Sequence, residues 1–318
     1  MKKKIINEEH IEGRVYSHNL VIKTVQNKES NNFGKEYISG SLDVATDEGC
    51  LNVITVHFTY VTEMTAKNKK NFTYTALKTI IDENKTCLEV GKENAMIVSI
   101  DTALALNDFY SQTDGRMISQ KRNEGGFVSI IKNGKLSEEN KRNTFTADMV
   151  ITNVSRVEAD PEKNIENDYA IVKGAIFNFK AALLPVEFKI VNEEGINFFE
   201  NYGATPSSPV FTKVWGKMVS STIKITKTEE SGFGEAKVQT TEKKTKDWVI
   251  TGTSTEPYEF GNEEFLTAEE LKKAMQDREI HLAEVKKNSD EYAAKSAVNK
   301  SMPSAAPAMD IPTSNFQF

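Results

Sequence analysis

The sequence has few of the residues that build covalent or catalytic sites. Its 318 residues include two cysteines, Cys50 and Cys87, and four histidines. The cysteines lack metal-ligand spacing, so we interpret them as free thiols of a reducing compartment, with a disulfide as the alternative. The histidines lie in separate predicted elements, and no catalytic or nucleotide-binding motif accompanies them. The sequence therefore predicts a protein that is not an enzyme and holds no metal or cofactor.

Long apolar runs are also absent. None approaches the roughly 20 residues that cross a bilayer, and residues 1–10 lack the apolar core of a signal peptide. Apolar residues make up 38% of the chain and charged residues 27%, which is typical of soluble globular proteins. We therefore expect a cytoplasmic protein that does not associate with membranes.

The net charge of −6 is unevenly distributed along the chain. Residues 1–144 carry 20 basic and 19 acidic side chains, whereas residues 145–262 carry 13 basic and 17 acidic ones. An acidic protein is a poor binder of polyanions as a whole, but the basic residues concentrate in the first part of the chain. This asymmetry is compatible with a binding domain followed by a more acidic region.

What the sequence does contain is one pattern repeated about 134 residues apart, at 36–60 and 169–190. Each copy is a strand with a central glycine, Gly40 or Gly174, then a short turn and a strongly alternating strand. A β-rich run precedes each copy, and a short helix and two more strands follow it. Five strands with a helix between the third and fourth is the order of an OB-fold, a small barrel. The chain is therefore predicted to be mainly β, with two tandem OB-fold-like five-stranded barrels, a C-terminal amphipathic helix and a disordered tail.

The predicted boundaries follow changes in polarity and periodicity. The expected domains are a first barrel at 1–131, a linker at 132–143, a second barrel at 144–262, a helix at 263–295 and a flexible tail at 296–318. In the first barrel we predict strands at 13–26, 96–106 and 127–131, a helix at 73–84 and a polar loop at 111–126. In the second we predict strands at 147–159, 210–226 and 247–253, a helix at 195–202 and a polar hairpin loop at 227–246. Thr267 to Glu270 form a capping box that marks the start of the last helix.

Strand alternation separates inward from outward side chains in each repeat. The expected core positions are Ile38, Leu42, Val44, Ile54, Val56 and Phe58 in the first repeat, and Val172 and Ile176 in the second. The outward face of the second and third strands is where an OB-fold commonly takes its ligand, and aromatic rings there can stack on bases. Loops that carry cations beside aromatic residues border the same face.

These considerations give one set of candidate nucleic-acid-binding residues. They are Phe33, Lys35, Tyr37, His57, Lys67, Lys69, Lys70, Phe72, Arg116, Lys121, Arg122, Lys173, Phe177, Phe179 and Lys189. For Phe177 and Phe179 the alternative is packing against the other barrel or the C-terminal helix. For the lysine runs the alternative is a merely solvated surface.

The glycine-centred repeat, the aromatic and basic loops and the C-terminal Phe318 together resemble bacteriophage single-stranded-DNA-binding proteins with tandem OB-folds. The resemblance implies sequence-tolerant binding of single-stranded DNA, or alternatively RNA, in phage replication or recombination within the bacterial cytoplasm. It also implies that the tail recruits replication or recombination proteins, through Asp310, Ile311, Pro312, Phe316 and Phe318. In proteins of that kind the tail is acidic, and this chain departs from that pattern because Asp310 is the only acidic residue among the last 27. We expect the C-terminal helix to pack on the second barrel or to mediate self-association.

A structural role is the competing interpretation. Barrels of this kind also serve as protein-binding modules in phage tails, baseplates and heads, and fold alone does not determine function. In that case the outward aromatic residues should be buried between subunits. In a nucleic-acid binder they should be exposed in a groove.

Overall fold

The computed structural model of the chain describes residues 5–132, 134–160, 165–229, 233, 237–259 and 266–301, with the backbone alone at 221–229, 237–244 and 295–301. The described residues are mainly β. The strands are β1 (Asn7–His18), β2 (Val21–Thr24), β3 (Glu36–Ala45), β4 (Val53–Thr62), β5 (Ile97–Thr102), β6 (Leu104–Ser111), β7 (Arg116–Glu124), β8 (Phe127–Ile130), β9 (Asn143–Val157), β10 (Tyr169–Phe177), β11 (Leu183–Ile190), β12 (Val210–Glu229) and β13 (Lys237–Thr253). The helices are α1 (Phe72–Glu83), α2 (Cys87–Val90), α3 (Glu193–Glu200) and α4 (Ala268–Ser301), with a 3-10 turn at Glu139–Lys141.

The first barrel closes as a ring of five strands. β1 pairs antiparallel with both β3 and β5, and β3 pairs antiparallel with β4. β5 and β6 follow one another as the fourth strand, and β7 and β8 do so as the fifth. The ring closes where β4 pairs in parallel with β7 and where β5 pairs with β8. Together with α1 between the third and fourth strands, this connectivity is that of an OB-fold.

The second barrel repeats the same ring. β9 pairs with β10 and β12, β10 pairs with β11, and β12 pairs with β13, all antiparallel. A parallel contact between Lys189 of β11 and Val249 of β13 closes it. The helix α3 lies between the third and fourth strands, as α1 does in the first barrel. The predicted fold class is confirmed.

The two barrels share one continuous sheet, because residues 7–11 of β1 pair antiparallel with residues 143–147 of β9. Two asparagine amides strengthen this junction. Asn52, between β3 and β4, donates to the carbonyl oxygen of Met218 at 3.1 Å and accepts from the amide of Ser220 at 2.8 Å. Asn143 also bonds both backbone groups of Met218. A single apolar cluster, which includes Val15, Leu77, Phe145 and Phe188, runs through both barrels.

The glycine at the centre of each second strand has a steric reason. Gly40 has a φ of +133°, a conformation that side chains rarely adopt. At Gly174 an added Cβ would collide with the backbone carbonyl of Val150 on the neighbouring strand β9. The backbone conformation at Gly40 and the close backbone contact at Gly174 therefore explain the glycine in each copy of the repeat.

Several predicted elements differ from the observed ones at places where polarity misled the prediction. The predicted single strand at 13–26 is two strands, β1 and β2, and β1 begins six residues earlier. The predicted loop at 111–126 contains the strand β7, whose polar residues lie on an exposed hairpin and so lack an apolar alternation. The start of β13 likewise lies within the predicted hairpin loop at 227–246.

The chain divides into two units, 1–107 with 120–278 and 108–119 with 279–318. In the first unit the start of α4 packs on the second barrel, since Leu266 and Ala274 join the buried cluster of Phe177, Leu183 and Phe211. The predicted capping box is present there as two hydrogen bonds between Thr267 and Glu270, of 3.0 and 3.2 Å.

The second unit contains the tip of the β6–β7 hairpin and the rest of α4. In it Gln112 donates to Ser289 and Asp290 at 3.1 Å, and the Lys286 ammonium lies 5.2 Å from the centre of the Tyr110 ring.

No helix among the described residues is long and apolar enough to cross a membrane. Cys50 and Cys87 are free thiols, and burial together with the nearby Cys50 thiol raises the pKa of Cys87 to about 11.

Candidate nucleic-acid interface

The side chains of β3 and β4 alternate between the core and the outer face as predicted over most of the two strands. Ile38, Leu42 and Val56 are fully buried. Tyr37 and His57, on the opposite phase, are partly exposed on the outer face. These two strands therefore present one apolar face to the core and one polar face to solvent.

A β-bulge in β4 changes this phase near its end and adds a second tyrosine to the outer face. Ile38 pairs with Val61 and Gly40 pairs with Phe58, so the single residue Ser39 opposes both Thr59 and Tyr60. Strict alternation would have put Tyr60 in the core with Phe58, but it is 46% exposed. Its ring centre lies 4.7 Å from that of Tyr37. Sequence reasoning missed Tyr60 for this reason.

Two loops with exposed aromatic and basic residues flank this tyrosine pair. The start of β3 pairs with the end of β4, because Tyr37 lies opposite Thr62, so the loop before β3 and the loop after β4 lie at the same end of the strands. The first loop carries Phe33, which is 51% exposed, and Lys35. The second loop carries the exposed Lys67, Lys69, Lys70 and Phe72, the last at the start of α1. We call these residues, with Tyr37 and Tyr60, the aromatic end of the face.

Basic side chains gather farther along β4, where the second barrel meets the first. His57, Lys121 and Arg122, all predicted, line one crevice together with Lys246 of β13, which was not predicted. The Lys246 ammonium donates to the hydroxyl of Thr55 at 2.9 Å. Lys121 lies 5.3 Å above the ring of the buried Trp248. We call these four cationic or titratable residues the basic end.

The environment of the basic end changes the protonation of its members. Burial lowers the pKa of His57, and the cations Arg122 and Lys246 lower it further, so the imidazole is neutral near pH 7. Burial also lowers the pKa of Lys121, although Asp247 and Glu187 oppose the shift. An approaching phosphate would favour the charged form of each group.

Two carboxylates on this face accept hydrogen bonds from neighbouring hydroxyl groups, and a third, Asp247, lines the crevice of the basic end. Asp43 accepts from Ser17 and Thr55, both at 2.7 Å. Glu124 accepts from Thr59 at 2.6 Å. The face is therefore mixed in charge, with cations concentrated at the basic end and in the flanking loops. No group of three or more metal-ligating side chains occurs in the part of the chain that the structure describes.

The second barrel offers a smaller counterpart. Lys189 lies 4.2 Å from the ring centre of Tyr169 and 3.8 Å from a carboxylate oxygen of Asp247. Lys173 pairs with Glu187 across β10 and β11 at 3.0 Å. Both predicted lysines are thus on the expected strands, but each has an acidic neighbour. Tyr169 was not among the predicted residues.

Two predicted aromatic residues do not belong to this face. Phe177 is only 2% exposed and packs with Leu183, Phe211 and the start of α4, so the packing alternative describes it correctly and no base could reach its ring. Phe179 is 88% exposed in the turn after β10, but it lines a cleft rich in carboxyl groups, which repel phosphate. Arg116 is exposed at the start of β7, in the unit that contains the hairpin tip. The predicted tail residues Asp310, Ile311, Pro312, Phe316 and Phe318 lie outside the described residues.

Comparison with known proteins gives one family and several remote structural neighbours. A family model described as YorF matches residues 6–288. No curated protein matches the sequence. The chain is similar to the single-stranded DNA binding protein from Thermus aquaticus, at 10% identity and a TM-score of 0.42, over 79% of this chain and 93% of that one. A deletion mutant of that protein matches at 11% identity and the same TM-score, over 79% and 94%.

A replication protein A heterotrimer bound to single-stranded DNA is a more distant match. It is 8% identical with a TM-score of 0.20, over 80% of this chain and 66% of that one. With TM-scores below 0.5, these likenesses add nothing to the fold assignment, which rests on the strand pairing described above.

Proposed function

We propose that this chain, which belongs to the YorF family, binds single-stranded DNA and catalyses no reaction on it. The observation that carries the proposal is the outer face of β3 and β4, which joins the Tyr37–Tyr60 pair at one end to a cluster of cations at the other. Exposed rings and cations along one strand path are the two components that sequence-tolerant single-strand binding needs.

The aromatic end would hold the bases. Tyr60, Phe33 and Phe72 are exposed by 46, 51 and 77%, although exposure of large apolar rings to water is unfavourable. Unpaired bases have free faces, and each base that stacks on a ring contributes about 1–3 kcal/mol. Because every base has such a face, stacking gives affinity without a sequence requirement. Bases within a duplex are already stacked, so this end favours single strands.

The basic end and the two loops would hold the phosphates. Lys121, Arg122 and Lys246 lie together at the basic end, and Lys35, Lys67, Lys69 and Lys70 lie in the loops. Each phosphate contact releases counterions, so it adds about −0.7 to the slope of the logarithm of the association constant against the logarithm of salt concentration for single strands. If all seven cations bind phosphates, the logarithm of the association constant should fall with the logarithm of salt concentration with a slope of about −5. Lys173 and Lys189 would extend the path onto the second barrel.

The biological setting belongs to the same proposal. We infer a role in bacteriophage DNA replication or recombination inside the bacterial cytoplasm, with the C-terminal tail recruiting proteins of those processes. The α4 helix would support self-association. The exposed rings of Phe33 and Tyr60 are available to a ligand, and the alternative function is that of a phage-particle component, in which such rings would pack between subunits.

The proposal is tested by fluorescence anisotropy with a labelled dT30 oligonucleotide, a matched RNA and a duplex of equal length. Each is titrated with the full chain at low and at moderate salt. We expect saturable binding to the single strand, weaker binding to the duplex, and the salt dependence given above. Absence of binding to dT30 at low salt would overturn the proposal and favour the assembly role.

A further inference from the structure

A tryptophan is exposed on the second barrel, on the outer side of β12. Trp215 is 41% exposed, whereas Trp248, the other tryptophan of the chain, is 3% exposed. The Trp215 ring lies over Gly252 of the neighbouring strand β13, where an added Cβ would collide with Nε1, Cε2 and Cζ2 of the indole. The glycine therefore makes room for the ring against the sheet, and the exposed side of the indole is the one that faces away from the sheet.

The residues that share this side of β12 with Trp215 form a stripe. Val214 and Met218 are 0% and 3% exposed, so the side chains of this part of β12 alternate between the core and the outer face. The outward residues are Lys213, Trp215, Lys217 and Val219. We call these four residues the β12 stripe. It places an aromatic ring between two lysines.

The carboxylates on the strands beside the stripe are either engaged or one strand farther away. Asp148, opposite Lys213 on β9, is 2% exposed and accepts hydrogen bonds from an amide and a hydroxyl group at 2.7 and 3.0 Å. Asp247, opposite Val219 on β13, lies 3.8 Å from a lysine ammonium of β11. Glu8 is exposed, but it lies on β1, and β9 separates it from the stripe. A phosphate can therefore approach the lysines of the stripe.

The stripe begins at the basic end of the proposed interface. Val219 lines the crevice of that end together with Lys246. Farther along β12, Lys217 lies opposite Val249 of β13, and the neighbour of Val249 on its other side is Lys189. A strand of DNA that leaves β4 at the basic end can continue along β12 toward the exposed indole, which is four residues, or about 13 Å, from Val219.

We infer that the β12 stripe is a further contact surface for the bound strand, where one base stacks on Trp215 and Lys213 and Lys217 contact the phosphates beside it. An exposed ring among cations is the combination that sequence-tolerant single-strand binding uses. The inference rests on the proposed single-strand binding. It adds a base-stacking residue on the fourth strand of the second barrel, which sequence reasoning did not select.

The test follows the tryptophan emission of the full chain during titration with unlabelled dT30, because a base that stacks on an indole quenches its fluorescence. The chain has two tryptophans, so Trp215→Phe leaves Trp248 as the only indole that emits. Anisotropy with labelled dT30, measured on the same proteins, reports binding separately from quenching.

The other variants remove the ring or the charges of the stripe. Trp215→Leu keeps apolar bulk without the ring, and Lys213→Gln/Lys217→Gln removes both positive charges. Lys272→Gln/Lys273→Gln is the charge-matched control, because these two lysines are exposed on α4. Urea unfolding of each variant shows that it is folded.

We expect dT30 to quench the emission of the wild type and to leave that of Trp215→Phe nearly unchanged. Trp215→Leu should weaken dT30 binding at least about fivefold. Lys213→Gln/Lys217→Gln should reduce the magnitude of the salt slope by about 1.4, whereas the control on α4 should change neither the affinity nor the slope.

The two readouts separate this inference from the proposed function. Binding of dT30 without quenching in the wild type, or with quenching that persists in Trp215→Phe, would overturn the inference and leave the proposed function intact. Unchanged dT30 affinity in folded Trp215→Leu would overturn the inference too. Absence of dT30 binding in the anisotropy titration would overturn both.

Discussion

Replacing Tyr60 with alanine should weaken binding to dT30 by about 5-fold to 150-fold. The reason is that Tyr60 is the ring that the β-bulge moves from the core phase to the outer face, where it lies 4.7 Å from Tyr37. Losing one base-stacking contact costs about 1–3 kcal/mol. Since about 1.4 kcal/mol corresponds to a tenfold change in the dissociation constant, this range gives the stated factors.

The same substitution should leave the protein folded. Tyr60 is 46% exposed, so its removal opens no core cavity. The contact between the two tyrosine rings is worth about 0.5–1.5 kcal/mol, which sets the expected loss in the free energy of unfolding. Binding should therefore change more than stability, and urea denaturation measures the stability term separately.

The assay is fluorescence anisotropy with dT30, with two control variants. Tyr60→Phe keeps the ring and should bind within about twofold of the wild type, because stacking does not need the hydroxyl. Tyr292→Ala removes another exposed tyrosine, on α4, and should have no effect. Folded Tyr60→Ala that binds as tightly as the wild type would refute the stacking argument.

Further tests of the structure come from His57, Glu9 and Gly174. Because burial and nearby cations lower the pKa of His57, this residue reduces the stability of the fold as the pH falls below about 6.5, and a bound phosphate would offset that loss. Affinity for dT30 should therefore rise on acidification in the wild type, and it should rise less in His57→Gln. Identical pH profiles of the two proteins in anisotropy titrations would contradict this. Glu9→Leu removes a buried carboxyl group that has no donor among the described residues and should raise the free energy of unfolding at pH 7 by about 1–3 kcal/mol. The gain in the free energy of unfolding of Glu9→Leu should shrink toward pH 4.5. The reason is that a carboxyl group with a raised pKa in the folded state destabilises the fold only at pH values where the unfolded state has released the proton. Urea unfolding at both pH values tests this, and an unchanged midpoint at pH 7 would refute it. Gly174→Ala should lower the free energy of unfolding by about 1–3 kcal/mol, because its Cβ meets the carbonyl of Val150; an unchanged thermal midpoint would contradict this packing.

Much of the fold was predictable because local pattern and global fold agree. Alternation in β3 and β4 identified Ile38 and Val56 as core, and the central glycines identified the repeat. Residues of β7 were missed because a strand exposed on a hairpin needs no apolar face. Domain boundaries and the disordered tail remain predictions.

The candidate site was only partly predictable, because its geometry depends on contacts between distant segments. Tyr60 reaches the outer face through a bulge that no alternation rule contains. Lys246 joins His57 only when the second barrel docks against β4. Phe177 looked outward by strand phase, but the start of α4 covers it more than 80 residues later in the chain.

Ultraviolet crosslinking shows directly whether a single strand of DNA lies across the outer face of β3 and β4. A dT30 oligonucleotide substituted with 5-bromouracil is irradiated in complex with the full chain, and crosslinked peptides are identified by mass spectrometry. We expect crosslinks at Tyr37, Tyr60 or Phe33, and we expect excess unlabelled dT30 to suppress them. Specific crosslinks confined to segments outside this face and its flanking loops would contradict that expectation.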